Sequence, residues 1–156
     1  MEEAGVRRRG ALALVGVLAT TGCYSLNVQT ETYANMQEAQ PAVDAGLMPQ
    51  GLPRSAFELR AAYVPGGWQR WGIINFPAEG ADELRALIEP TEMSLTGVRC
   101  EIPPRVEWWP VQLRQSLDDE RVKATGAQAY RSRKGDLIVV VNWRQGRAYY
   151  FTPGKG

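Results

Sequence analysis

Histidine is absent from all 156 residues. Its absence excludes Ser-His-Asp and Cys-His nucleophilic sites and any histidine-ligated metal, and with them many common enzyme mechanisms. A charge bias is missing too: 18 basic residues face 17 acidic ones, for a formal net charge of +1. Nucleic acid demands a clustered basic surface, so it is excluded as a partner. The longest candidate for a membrane span, residues 10–22, falls well short of the ~20 apolar residues a bilayer requires. Internal repeats and low-complexity runs are absent as well.

What is present begins at the N-terminus. Arg7, Arg8 and Arg9 precede the apolar run Ala11 to Ala19, and Thr20-Thr21-Gly22-Cys23 follows, which is the three-part layout of a secretory signal peptide. The end of this segment resembles the lipobox of bacterial lipoproteins: Gly22 and Cys23 fit the pattern, while Thr20 stands where leucine is usual. The resemblance implies cleavage before Cys23 and a diacylglyceryl group, carrying chains such as palmitate, on its thiol. Tyr24 is not the aspartate that retains many such proteins in the inner membrane, so the resemblance favours an outer-membrane anchor facing the periplasm. The alternative is a cleaved signal without lipid. Glu2 and Glu3 are unusual in a basic leader; either the arginines offset them or translation starts at Val6.

Removing residues 1–22 takes three arginines and two glutamates from the 18 basic and 17 acidic side chains, leaving fifteen of each and no net charge. Lipid must then hold the protein without a polybasic second signal. At ~0.8 kcal/mol per buried methylene, several acyl chains make that attachment effectively permanent. With Cys23 lipidated, Cys100 has no intramolecular partner and is either a small core residue or a reactive thiol. The sequence therefore divides into a signal peptide (1–22), a polar tether (23–32) and one domain (33–156).

Within the domain, Asn35-Met36-Gln37-Glu38 spaces an N-cap and a glutamate as in a capping box, and Pro41 and Gly46 predict a short, kinked helix behind it. Ser55 is a candidate cap for one helical turn. Residues 58–64 and 68–76 are rich in aromatic and β-branched types around the turn Pro65-Gly66-Gly67, which predicts a hairpin. Its inner face would carry Leu59, Ala61 and Tyr63 opposite Trp71 and Ile73, although a one-residue slip reverses the assignment. Leu84, Leu87 and Ile88 share one side of a helix over 80–88, with Asp82 and Glu83 at its positive end. Residues 89–110 hold four prolines and little periodicity, so a long irregular connection is expected.

Residues 127–133, 137–143 and 147–152 read as a three-strand meander joined by Lys134-Gly135-Asp136 and Arg144-Gln145-Gly146. The run Leu137 to Val141 is apolar at both parities, which predicts a central strand buried on both faces. The fold class is therefore α+β: an antiparallel sheet, built of hairpin and meander, with two or three short helices on one face.

Tyr33, Glu38-Ala39, Gly46, Pro49, Leu52-Pro53, Ser55-Ala56, Trp71, Phe76, Trp109-Pro110 and Gly146-Arg147-Ala148-Tyr149-Tyr150 form a spaced series. It resembles small bacterial lipoproteins and membrane-tethered proteins described as YbbD head domain proteins. Where that family reads Gly-Trp-Leu-Pro, this chain reads Gly46-Leu47-Met48-Pro49. The resemblance implies a fold and a location, and no reaction.

Candidate chemistry is sparse. Asp118-Asp119-Glu120 offers oxygen ligands for a hard cation but also reads as a solvated helix start. Trp68, Trp71, Trp108, Trp109 and Trp143 offer a stacking platform for sugars, or core. Trp108 and Trp109 are the preferred binding residues, because neighbours on an extended segment point opposite ways and one would be exposed. Arg105, Arg114 and Arg121 suggest an anion site less well than a mixed surface. No nucleophile has a recognisable base, so no catalytic residue and no cofactor is assigned. The leading expectation is a membrane-anchored, non-enzymatic binding or structural module whose partner is an envelope protein or glycan. The alternative is an envelope hydrolase or thiol enzyme using Cys100 or the Asp118-Asp119-Glu120 cluster.

Overall fold

The structure, a computed structural model, describes residues 27–155. Cys23 and the leader lie outside them. Eight strands form: β1 (Gln29–Asn35), β2 (Phe57–Tyr63), β3 (Arg70–Asn75), β4 (Arg99–Cys100), β5 (Gln115–Ser116), β6 (Gln128–Arg131), β7 (Ile138–Asn142) and β8 (Arg147–Phe151). Helices α1 (Met36–Asp44), α2 (Ala81–Leu87) and α3 (Asp119–Ala124) lie between them. Six strands make one antiparallel sheet in the order β1-β2-β3-β8-β7-β6, and β4 pairs with β5 separately. The architecture is α+β, and the expected hairpin and meander are joined through β3 and β8.

Local signals explain the helices. Asn35 caps α1 by accepting from the Glu38 amide at 3.0 Å, and Glu38 returns by accepting from the Ala34 amide. At the other end Gly46 takes φ +75, and the bonds Leu47 N to Ala42 O and Gly46 N to Val43 O close the helix. Only a residue without a Cβ enters that conformation cheaply.

The sheet is buried on both faces. One face, with Leu59, Ala61, Ile74, Val139, Val141 and Tyr150, packs under α1 and α2 through Ala39, Ala42, Val43, Leu84 and Ile88. The other, with Ala62, Trp71, Ile73, Ile138, Val140 and Phe151, is covered by the 93–117 connection and by Val122 of α3. Two helices share a face as expected, and α3 takes the opposite one.

Several expectations are corrected. Strand β1 begins at Gln29 and pairs with β2 along its length, so residues 29–32 belong to the sheet and not to a tether. Trp71 and Ile73 point away from Leu59 and Ala61: Ala62 faces Trp71 across the pair, and a bulge with Glu58 at φ +48 shifts the register between Phe57 and Arg60. Ser55 caps no helix, because its turn runs directly into β2. Strand β7 is buried at every position as expected, but lies one place in from the edge; β3 and β8 hold the centre.

Candidate functional site

The turn after β2 is closed by Gly67 N bonding Val64 O at 2.9 Å, and it delivers Trp68 to the surface with 51% of its area exposed. Trp68 is the only tryptophan among the large hydrophobic side chains that stand exposed in the described residues. Two residues on, Arg70 opens β3, and its guanidinium reaches across the end of the sheet. Its Nη2 donates to Asp136 Oδ2 at 2.8 Å and its Nη1 to the carbonyl of Gly46 at 3.3 Å. Asp136 is held in turn by the buried Ser132, whose Oγ donates to Oδ1 at 3.0 Å and accepts from the Leu137 amide. Arg70 thus fastens the β2–β3 hairpin to the end of α1 and to the β6–β7 turn. The Arg70–Asp136 pair keeps 20% and 46% of its side-chain area exposed, so its net contribution to stability is small.

Two hollows open on either side of this pair and share Gly46, Arg70 and Asp136. One, of about 220 Å³, has a floor of Met48, Leu87 and Leu137 and a rim that includes Asp44, Gln50 and Lys134. The other, of about 500 Å³, is walled by Trp68, Thr152 and Pro153. Tyr150 is buried in the core, and among the described residues its hydroxyl has no hydrogen-bond partner. Burial raises its pKa, opposed by the guanidinium of Arg70.

The preferred aromatic pair sits elsewhere. Trp109 is 1% exposed, and its indole N–H donates to Leu113 O at 2.7 Å; Trp108 is half-buried and edge-on to it. The opposed-directions argument fails here because the segment is not extended: Val106 N bonds Pro103 O and Trp109 N bonds Val106 O, two successive turns that fold both rings onto the same core. Trp71 is core, and Trp143 lies between Phe76, Tyr130 and the guanidinium of Arg85.

The enzymatic candidates have structural roles. Cys100 is buried, and desolvation pushes its thiol up to about 12 against a weaker pull from the indoles of Trp71 and Trp109. A thiol so placed stays protonated and is a poor nucleophile. Asp118 caps α3 by accepting from the Arg121 amide, and Asp119 accepts from Leu95 N at 2.8 Å and pairs with Lys123. The Leu95 amide first, and Lys123 second, hold the Asp119 carboxyl below its ordinary value. The trio is a helix start, and no acidic cluster fit for a metal occurs among the described residues. Two of the three arginines engage backbone carbonyls: Arg114 donates to those of Pro103, Val106 and Trp109, and Arg105 to that of Val28.

The sequence offers Trp68 as one of five tryptophans for a sugar platform or for core, without singling it out, and Asp136 only as part of a turn. The one available signal was position, since a tryptophan directly after Pro-Gly-Gly sits at a hairpin tip with little left to cover it. No protein-family model, curated protein or solved structure matches this chain.

Proposed function

We propose that the protein is a lipid-anchored envelope protein, attached through Cys23 to the outer membrane and facing the periplasm, whose domain acts as a non-enzymatic binding module. The observation that carries the anchor is Gly22-Cys23 at the end of an arginine-led apolar run. Among the described residues no helix is long and apolar enough to cross a membrane. The binding role draws support from the groove at Arg70 and Asp136 and from the structural employment of Cys100 and of Asp118-Asp119-Glu120.

Mass spectrometry of the mature N-terminus tests the anchor. The expected result is an acylated Cys23, with Cys23→Ser leaving the protein unprocessed or released from membranes. Cleavage elsewhere, or an unmodified Cys23 at the mature N-terminus, refutes it.

A further inference from the structure

The registers place the groove at one particular end of the sheet. Gln29 pairs with Tyr63, Tyr63 with Arg70, and Thr152 bonds the backbone of Arg70. The chain therefore enters β1 at the end that holds the Trp68 turn, Arg70 and Asp136. Val28 is already buried in the core with its carbonyl held by Arg105, so residues 24–27 alone separate it from Cys23, a fully extended reach of about 18 Å.

The lining has a definite chemical character. Charges of both signs line it, Asp44 and Asp136 against Arg70 and Lys134, with Lys155 as a further cation beside Trp68, so no single-sign field dominates. Guanidinium, carboxylates and the Gln50 amide provide donors and acceptors with fixed, planar geometry. In the hollow that Arg70 and Asp136 share with Thr152, the exposed indole of Trp68 supplies an apolar face, with Lys155 Nζ 5.8 Å from a ring centroid. A neutral ligand with one apolar face and a rim of groups that both donate and accept matches this set. A sugar ring is such a ligand: its C–H face stacks on an indole and its hydroxyls engage paired polar side chains.

We propose that the Trp68–Arg70–Asp136 groove binds a neutral sugar, stacked on Trp68 and hydrogen-bonded along Arg70 and Asp136. This rests on the reading of the domain as a binding module. The sugar has two sources, a glycolipid headgroup in the anchoring membrane or a free glycan strand, and both present the same chemistry to the groove.

The test uses the full mature chain in detergent, titrated with soluble tetrasaccharides of glucose and of N-acetylglucosamine, with tryptophan emission and calorimetry as readouts. Binding is expected for at least one, weakened about tenfold or more in Trp68→Ala. Melting should be unchanged in that variant, because the ring is exposed, and Trp68→Tyr should retain most of the affinity. Vesicles with and without a digalactosyl lipid, offered to Cys23→Ser protein so that no acyl chain inserts, distinguish the sources: preferential capture by the sugar-bearing vesicles assigns the headgroup, and no preference alongside soluble binding assigns the strand. Three results overturn the proposal: no response to any of these sugars at millimolar concentration, affinity indifferent to Trp68→Ala, or a Trp68 dependence confined to plain phospholipid vesicles. Repeating the titration on Cys23→Ser separates the two readings, since an anchor that fails leaves sugar binding intact.

Discussion

Replacing Trp109 with alanine removes the ring around which the second core layer is built. The indole is 1% exposed and meets Trp108, Tyr149 and Phe151 edge-on, at centroid distances of 6.1, 6.0 and 6.2 Å. Truncating a buried tryptophan costs about 3–5 kcal/mol. The loss should fall at the top of that range, because the Leu113 carbonyl also loses its 2.7 Å donor, a term of about 1–3 kcal/mol when nothing replaces it. Domains of this class are stable by only about 5–15 kcal/mol, so the variant should be close to unfolding. At roughly 3 °C per kcal/mol, the midpoint should fall by about 15 °C.

Thermal and urea unfolding followed by circular dichroism would measure this. Two companions locate the cause. Trp109→Phe keeps an apolar ring and loses the donor, so it should cost about 1–3 kcal/mol. Trp108→Ala, at a half-buried position, should cost less than Trp109→Ala by about 2 kcal/mol or more. A Trp109→Ala protein that melts within a few degrees of wild type would show that the 93–117 connection does not pack on the sheet as described.

Gly72→Ala would set a Cβ 2.2 Å from the Tyr150 ring, and since that ring is buried the expected cost is about 1–3 kcal/mol in urea unfolding. Tyr150→Phe removes a buried hydroxyl without a partner, so stability should hold or rise by about 1 kcal/mol; a clear loss would mean that the hydroxyl is satisfied. Val139→Asp, at a 1% exposed position in β7, should bury an unpaired carboxylate and prevent folding, which wild-type-like melting would contradict. Cys100 titrates near 12 when folded against an ordinary 9.0, so the native state holds this proton more tightly. Its contribution is complete below about pH 9 and is lost as pH rises toward 12, at up to ~1.4 kcal/mol per unit, and comparing urea midpoints with those of Cys100→Ala isolates it. The folded thiol should also resist iodoacetamide.

The parts of the fold legible in the sequence are those set by neighbours in the chain. The meander announces itself through Lys134-Gly135-Asp136 and Arg144-Gln145-Gly146 between β-rich runs, and α1 through Asn35, Glu38 and Gly46. Strand β1 was hidden because an edge strand with Gln29, Thr30, Glu31 and Thr32 exposed shows no apolar alternation, and its polar sequence reads as tether. Glu31 instead accepts from the hydroxyls of Tyr33 and Tyr63, tying the edge to β2. The face assignment of the hairpin was ambiguous for the opposite reason: with Leu59 and Ala61 on one parity and Ala62, Trp71 and Ile73 on the other, both faces are apolar. Only the bulge at Glu58 and the two covering layers decide it.

The groove was illegible because no local pattern links Gly46, Trp68, Arg70 and Asp136; the antiparallel registers alone bring them together. The same registers fix where the groove points. Because β1 runs antiparallel to β2, the first residues of β1 lie beside the last residues of β2 and the turn that follows them. A chain anchored a few residues before Gln29 must therefore present Trp68 on the side of its anchor. Lengthening the 24–27 segment, ahead of the buried Val28, would change that geometry without touching the groove. A flexible Gly/Ser insertion of about 20 residues adds roughly 25 Å of root-mean-square reach, enough to lift the domain off the lipid surface. If the ligand is a headgroup in the anchoring membrane, native crosslinking of the groove to lipid should fall sharply in the lengthened protein while affinity for a soluble tetrasaccharide stays at the wild-type value. Crosslinking to lipid that is insensitive to the insertion would place the contact elsewhere on the domain.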